Sequence, residues 1–248
     1  MNIVVCVNHV PDTETKVKVG PDGKSIDKAG VNWMLGPYDE FAVEEALRLK
    51  ERAGGQVTAI SLGGDTHKET LRKALAMGVD KAVLLKDDSV RDSFSVSKAL
   101  AEAAQSLNPE IILFGKQSID YHNEQVPGMI AEILGWPSVS VVVKMDIQGT
   151  KVVCEREIEG GHEVVETTLP VVISAQKGLN EPRYPSLKGI MGAKTKPIEE
   201  KQPAAVQNRV EVLDMHKPDQ KPPGKIVGTD ATAVPELVRL LHEEAKVI

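Results

Sequence analysis

What most constrains this chain is a rhythm: short unbroken apolar runs, each followed by a longer segment of helical spacing. The runs are Ile3-Val4-Val5-Cys6-Val7, Val57-Thr58-Ala59-Ile60-Ser61-Leu62, Ala82-Val83-Leu84-Leu85 and Ile111-Ile112-Leu113-Phe114. A strand with one face in water alternates apolar and polar residues, whereas a strand buried on both faces reads as continuous. Such strands alternating with helices predict an α/β fold, a doubly wound and mostly parallel sheet.

The helical segments have legible ends. Asp39 is placed to cap a helix that carries Glu40, Glu44 and Glu45 early and Arg48, Lys50 and Arg52 late, with Gly54-Gly55 as its stop. That charge order complements the helix dipole. Thr66 and Glu69 have capping-box spacing before Leu71, Ala74 and Leu75, and Gly78 closes that helix. Val96, Ala99, Leu100 and Ala103 recur at helical spacing. Asn123 is placed to cap a further helix through Ile130, Ile133 and Leu134, with Pro127 at its fourth position. After Pro137 the rhythm changes. Residues 139–143, 151–158 and 162–175 read as strands joined at Gly149 and Gly160-Gly161, which predicts antiparallel hairpins appended to the sheet.

Charge divides the chain. From Arg183 to Lys225 there are nine Lys/Arg against five Asp/Glu, a net of +4, so the rest carries −10 of a total of −6. Eight of the 15 prolines also fall from Pro182 onward. We therefore expect a compact α/β domain over 1–182. Residues 183–248 would follow as a loop, an extended basic C-terminal arm and an amphipathic helix over 233–247 that pack on a partner. Tyr184, Leu187, Ile190, Met191, Val210 and Val212 are the arm's docking residues on this reading.

Several function classes recede. An acidic chain with eight aromatic residues is a poor nucleic-acid groove. Two cysteines, Cys6 and Cys154, exclude a disulfide framework, and with the scattered His9, His67, His122, His162, His216 and His242 they make no metal-site spacing. Both cysteines lie in strand patterns and read as structural. No apolar run approaches the roughly 18 residues of a membrane span. Met1 leads straight into a strand pattern without a basic n-region, so a cytoplasmic location is the expectation. Glu155, Glu157, Glu159, Glu163 and Glu166, interleaved with Arg156, read as a solvated strand face. No nucleophile elbow is present, so we expect no catalytic residues.

Ligands of doubly wound sheets sit beyond the carboxyl ends of the strands. Three loops fall there: Asn8, His9, Pro11 and Asp12 after the first strand; Gly63-Gly64-Asp65 after Leu62; and the long loop that opens at Gly115-Lys116 after Phe114. Small residues let a ligand approach the backbone, and free amides at a helix start attract phosphate. Read as residues alone, the glycines serve equally well as simple turns, and neither a P-loop nor a GxGxxG pattern occurs.

Longer motifs decide between these readings. Cys154-Glu155-Arg156-Glu157-Ile158-Glu159-Gly160-Gly161, Leu169-Pro170 and Leu179-Asn180-Glu181-Pro182-Arg183-Tyr184-Pro185-Ser186-Leu187-Lys188-Gly189-Ile190-Met191 closely resemble the signature of electron transfer flavoprotein beta subunits. Gly36-Pro37-Tyr38-Asp39-Glu40-Phe41-Ala42, Ala74-Leu75-Ala76-Met77-Gly78 and Gly115-Lys116-Gln117-Ser118-Ile119-Asp120 resemble it too, and the resemblance runs from Met1 to about Ile198. It implies a heterodimer with an alpha subunit that holds most of a redox FAD, AMP in this subunit, electrons taken from dehydrogenases such as those of fatty acid oxidation, and a quinone reductase or other acceptor. It places AMP contacts on Cys6, Gly36, Pro37, Tyr38, Asp39 and Leu62, and on Gly115-Lys116-Gln117-Ser118-Ile119-Asp120-Tyr121-His122-Asn123-Glu124-Gln125-Val126. It places partner recognition on Arg183-Tyr184-Pro185-Ser186-Leu187-Lys188-Gly189-Ile190-Met191-Gly192, with Leu187 as anchor in an irregular segment. Gly36 stands where relatives commonly carry Asn. Two alternatives are a bifurcating flavoprotein subunit with a second FAD in place of AMP, and a free-standing nucleotide sensor of the universal-stress type.

Overall fold

The computed structural model describes residues 1–221 and 223–248. The chain opens with β1 (Asn2–Cys6), the short antiparallel pair β2 (His9–Pro11) and β3 (Trp33–Leu35), and α1 (Pro37–Ala53). Next come β4 (Gln56–Gly63), α2 (His67–Met77), β5 (Lys81–Lys86), α3 (Ser93–Gln105), β6 (Ile111–Gly115) and α4 (Gln125–Leu134). Then follow β7 (Ser138–Gln148), β8 (Lys151–Ile158), β9 (Gly161–Thr168), β10 (Val171–Ala175), α5 (Leu187–Thr195), β11 (Ile198–Lys201) and α6 (Val234–Arg239).

Nine strands form one sheet in the order β11-β5-β4-β1-β6-β10-β7-β8-β9. From β11 to β7 every neighbouring pair is parallel, while β8 and β9 add on antiparallel. The continuous apolar runs are explained by burial on two faces. Ile3, Val5, Ile111, Leu113 and Ile173 pack with α1 and α2 residues such as Val43, Leu47, Leu71 and Leu75. Their alternates Val4, Cys6, Ile112, Phe114 and Val172 pack with Leu100, Ala104 and Ile130 of α3 and α4. From β1 the chain winds outward through β4 and β5, then returns to β6 on the other side of β1. The topological switch point therefore lies between β1 and β6, and a crevice at their carboxyl ends is the ligand position of such sheets.

Several local expectations differ from what is observed. Asp39 does not cap α1; Gly36 holds the N-cap position, Pro37 starts the helix and the buried Asp39 carboxylate turns away to other partners. Thr66 stands at the N-cap of α2 but in helical dihedrals, so its hydroxyl takes no amide there. Asn123 is outside α4, whose N-cap is Glu124. Pro127 is consequently the third helical residue, inside the first turn where no intrahelical N–H is needed. The strand expected over 162–175 is two strands, because Pro170 has no N–H to continue the ladder. Exposed β9 ends there, and the wholly buried β10 enters the sheet between β6 and β7.

β7 serves both halves of the sheet. Around Val142 its register shifts against β10 and against β8, and Val141 stands at φ +61° with its N–H bonded to Ser174 Oγ at 3.0 Å. Such a bulge bends a strand, and here it turns β7 from a parallel partner to an antiparallel one.

The segment after Arg183 packs first on its own domain. α5 lies against α2, where the Arg72 guanidinium donates to the carbonyls of Ala193 and Lys196. β11 then extends the sheet beside β5. Farther on, Lys24 pairs with Glu211 at 2.8 Å and the Met215 amide donates to the Gly23 carbonyl at 2.7 Å. The single helix expected over 233–247 is a 3₁₀ turn at Ala231–Ala233, the short α6 and a wider turn at Leu240–Glu244. Val234, Leu237 and Val238 lie exposed on α6, and a short helix whose apolar side is not buried is marginal.

Candidate functional site

One side chain organises the carboxyl ends of β1 and β6. The Asp39 carboxylate accepts the Asn8 amide at 2.8 Å through Oδ2 and the Gly115 amide at 3.1 Å through Oδ1. It reaches them because α1 comes very close to the strand ends. A Cβ on Gly36 would sit 2.5 Å from Asp39 Oδ2, and one on Gly115 would sit 2.5 Å from Oδ1 and 2.7 Å from the Asp39 nitrogen. The two glycines thus make the space that the carboxylate fills. Burial pushes Asp39 up to about 7, against the two amide bonds that pull it down, and Asp120 and Glu40 add to the rise. Beneath it the Cys6 thiol is buried, and that burial, with Asp39 nearby, raises its pKa. The thiolate needed for chemistry is therefore absent at neutral pH.

Beside this junction stands the loop from Lys116 to the start of α4. Its first amide, Lys116, donates to the Ala175 carbonyl at 2.8 Å, and the His122 amide donates back to Ser118 at 3.0 Å. His122 and Glu124 both take left-handed dihedrals, φ 52° each. The Asn123 side chain leaves the loop to donate to Ser93 Oγ at 2.9 Å. Lys116 Nζ stands 3.7 Å from the Glu124 carboxylate and 6.0 Å from the centre of the Tyr38 ring. Gln117, Ser118 and Ile119 are half-buried, Asp120, Tyr121 and Gln125 are exposed, and Leu62 and Val126 are half-buried at the margins. The fold brings Cys6, the turn 36–39 and the loop 115–126 to one end of the sheet, the end to which Leu62 also belongs.

A histidine pair was not visible in the sequence, where His9 and His67 stand far apart. His9 is buried, its Nδ1 is 2.8 Å from Thr70 Oγ1, and its ring stacks on Trp33 with centroids 5.0 Å apart. The His67 ring lies 4.9 Å from it and its Nδ1 is 3.0 Å from Ser61 Oγ. Burial lowers both, His67 to about 4, with His9 and Lys28 as further causes there. Both rings are neutral at pH 7 and act as packing. The hydroxyl partners come from β4, which carries Ser61, and from α2, which carries both His67 and Thr70.

The segment 183–192 separates into an anchor and an exposed face. Arg183 donates to Glu44 at 2.8 Å and to Glu51 at 2.5 Å, so its guanidinium is held on α1. Glu44 is pushed up by its burial, yet bonds from Arg183 and Arg48 outweigh that and hold it below its ordinary value. Tyr184 is 96% exposed, Leu187 82% and Met191 71%. Leu187 is not in an irregular stretch; it is the first residue of α5, capped by Ser186, whose Oγ accepts the Gly189 amide at 3.0 Å. At such a position the side chain projects from the helix start, uncovered by the described residues. Elsewhere Cys154 is buried in β8 and raised to about 11 by burial. Along β8 and β9, Lys151–Glu166, Glu155–His162 and Arg156–Glu163 pair across the strands. Among the described residues no group of three or more His, Cys, Asp or Glu side chains is placed to hold a metal ion.

The model of the electron transfer flavoprotein domain family matches residues 24–206. A Syntrophomonas wolfei electron transfer flavoprotein subunit beta is 42% identical over 96% of this chain and 92% of its own. The Bacillus subtilis protein of that name is 41% identical over the whole of both chains. A mitochondrial one from Arabidopsis thaliana is 35% identical, again over both whole chains.

Proposed function

The chain belongs to the electron transfer flavoprotein beta-subunit family, and from that premise we propose that it is the AMP-binding half of a heterodimeric electron carrier. An alpha subunit is its partner and holds most of the FAD. Dehydrogenases, acyl-CoA dehydrogenases among them, supply the electrons, and a quinone reductase or another acceptor takes them. FAD supplies the redox chemistry when bound; this chain supplies the nucleotide pocket and a surface for partners. The observation that carries the reading is the placement of the loop 115–126 beside the β1–β6 switch point, with Lys116, Gln117 and Ser118 half-buried and Asp120 exposed. Lys116 offers a cation, and Gln117, Ser118 and Asp120 offer directional hydrogen bonds to a ribose and phosphate. Cys6, Leu62 and the turn Gly36-Pro37-Tyr38-Asp39 form the less polar wall for an adenine. No helix among the described residues is long and apolar enough to cross a membrane, and we place the carrier in the cytoplasm.

The test is to denature the purified heterodimer and quantify what it releases. One AMP and one FAD are expected. Two FAD and no AMP would replace the reading with a bifurcating carrier, and release of AMP from a chain that never pairs would replace it with a nucleotide sensor.

Leu187 is the proposed anchor for the electron donor. Burying one such side chain in a partner's pocket is worth roughly 1.5–3 kcal/mol, and a few anchors of this kind dominate transient interfaces. Leu187→Ala should slow reduction by a dehydrogenase severalfold while dithionite reduction, FAD content and AMP content stay as before. Unchanged dehydrogenase kinetics would remove the residue from that role.

A further inference from the structure

We propose that the basic arm buttresses the nucleotide loop, with Asn208 and Ser93 as positioning residues that act on it through the first turn of α3. The proposal deepens the AMP reading and rests on it only for the identity of the ligand.

The arm is clasped to α3 by side chains that leave few polar groups idle. The Asp92 carboxylate accepts the Ser95 amide at 2.8 Å as the helix cap, and it also accepts the arm's amides, Arg209 at 2.5 Å and Val210 at 2.9 Å. Asn208 answers from the arm. Its Oδ1 accepts the Asp92 amide at 3.1 Å and the Ser95 hydroxyl at 2.6 Å, and its Nδ2 donates to the Val90 carbonyl at 2.8 Å. Arg91 donates to the Ala204 carbonyl at 3.1 Å, and the Arg209 guanidinium lies 4.5 Å from the centre of the Phe94 ring. Ser95 is fully buried at this junction, and its hydroxyl also lies 3.1 Å from the Asp92 carbonyl; lifting the arm takes from this turn the Asn208 oxygen that joins the Ser95 hydroxyl to the Asp92 amide. Each such bond contributes about 0.5–1.5 kcal/mol, so without the arm the first turn of α3 frays more readily.

That same turn holds the nucleotide loop. Ser93, the first residue of α3, takes the Asn123 amide at 2.9 Å. Asn123 stands between His122 and Glu124, two residues in left-handed dihedrals that side chains other than glycine rarely adopt. Such a conformation persists when its surroundings impose it, and the bond to Ser93 is part of what imposes it here. One turn of helix thus has a docked and a frayed arrangement, with the arm on one side and the nucleotide loop on the other. Any ligand that fixes the loop must favour the docked arm to the same extent, since coupling between two equilibria is reciprocal.

Amide hydrogen exchange on the full-length chain tests this. Without nucleotide, Asn208→Ala should speed exchange across 203–212 and also across 118–126, by about three- to tenfold in the loop, within the range of coupling carried by a contact network. Faster exchange in 203–212 alone would overturn the buttress. With AMP added to the parent chain, exchange should slow at 117–126 and at 209–210 together. Ser93→Ala should keep the first effect and lose the second, and Ser93→Thr, which retains the hydroxyl, should restore it. Slowing at 209–210 that survives Ser93→Ala would also overturn the proposal. If AMP slows nothing at 117–126 in the parent, the AMP reading falls, and the nucleotide-free comparison with Asn208→Ala still decides the buttress.

Discussion

Gly115→Ala should destabilise the chain by about 3 kcal/mol and strip it of most of its nucleotide, a large effect for one methyl group. The added Cβ would stand 2.5 Å from Asp39 Oδ1, 2.7 Å from the Asp39 nitrogen and 2.7 Å from the Tyr38 carbonyl carbon. Two of those three atoms are backbone of the first turn of α1, so no side-chain rotation relieves the overlap. The helix start must move off the end of β6, and as it moves the Asp39 carboxylate loses the Gly115 amide. For a chain of this size the loss corresponds to a fall in melting temperature of about 6–12 °C. The turn 36–39 and the loop 115–126 separate in the same movement, so AMP retention should fall with stability. Thermal unfolding and nucleotide quantification on one preparation check both. A melting temperature within about 2 °C of the parent would mean that α1 is not pressed against β6 as described.

The second large effect is a pH dependence carried by Asp39. Its ordinary value of 3.8 is pushed up to about 7 by burial, which outweighs the amide bonds from Asn8 and Gly115. The folded chain therefore binds a proton at pH values where the unfolded chain does not. Stability from this group is fully present below about pH 4 and is lost as the pH rises through about 7. Between pH 5 and pH 8 that amounts to about 2–3 kcal/mol. Asp39→Asn cannot titrate and retains one oxygen for one of the two amides. Its urea-unfolding stability, compared with that of the parent at pH 5 and pH 8, should be relatively higher at the alkaline end by about that amount. Parallel profiles would show that the carboxylate is not the titrating group.

The two variants act on one junction, and that junction shows where reading the chain stops. Ile3 to Val7, Val57 to Leu62 and Ile111 to Phe114 sufficed to identify strands buried on both faces, since continuous apolar composition has few other uses in short runs between helices. The motifs 36–42, 115–120 and 179–191 sufficed for the family. They also placed the loop 115–126 at a strand end, because a strand that runs into a helix leaves that loop no other place. The fold class and the end of the sheet at which these loops gather are therefore local information repeated along the chain.

Asp39 is the counterexample. Read locally it is a helix cap, because acidic residues before a helical segment usually are. Its actual partners are the amides of residues 31 and 76 positions away, and only the approach of α1 to β1 and β6 makes them available. The His9–His67 pair and the clasp of Asn208 on Asp92 have the same character. Polar side chains reach whatever partner the packed backbone presents, and nothing periodic in the sequence records that choice. Leu187 lies between the two cases: its exposure followed from its setting, but its place at the head of α5 did not. The sequence by itself determined which segments are buried and which family they build. The tertiary structure alone decided which polar groups meet, because hydrogen bonds between distant residues depend on the arrangement of elements that hydrophobic burial assembles first.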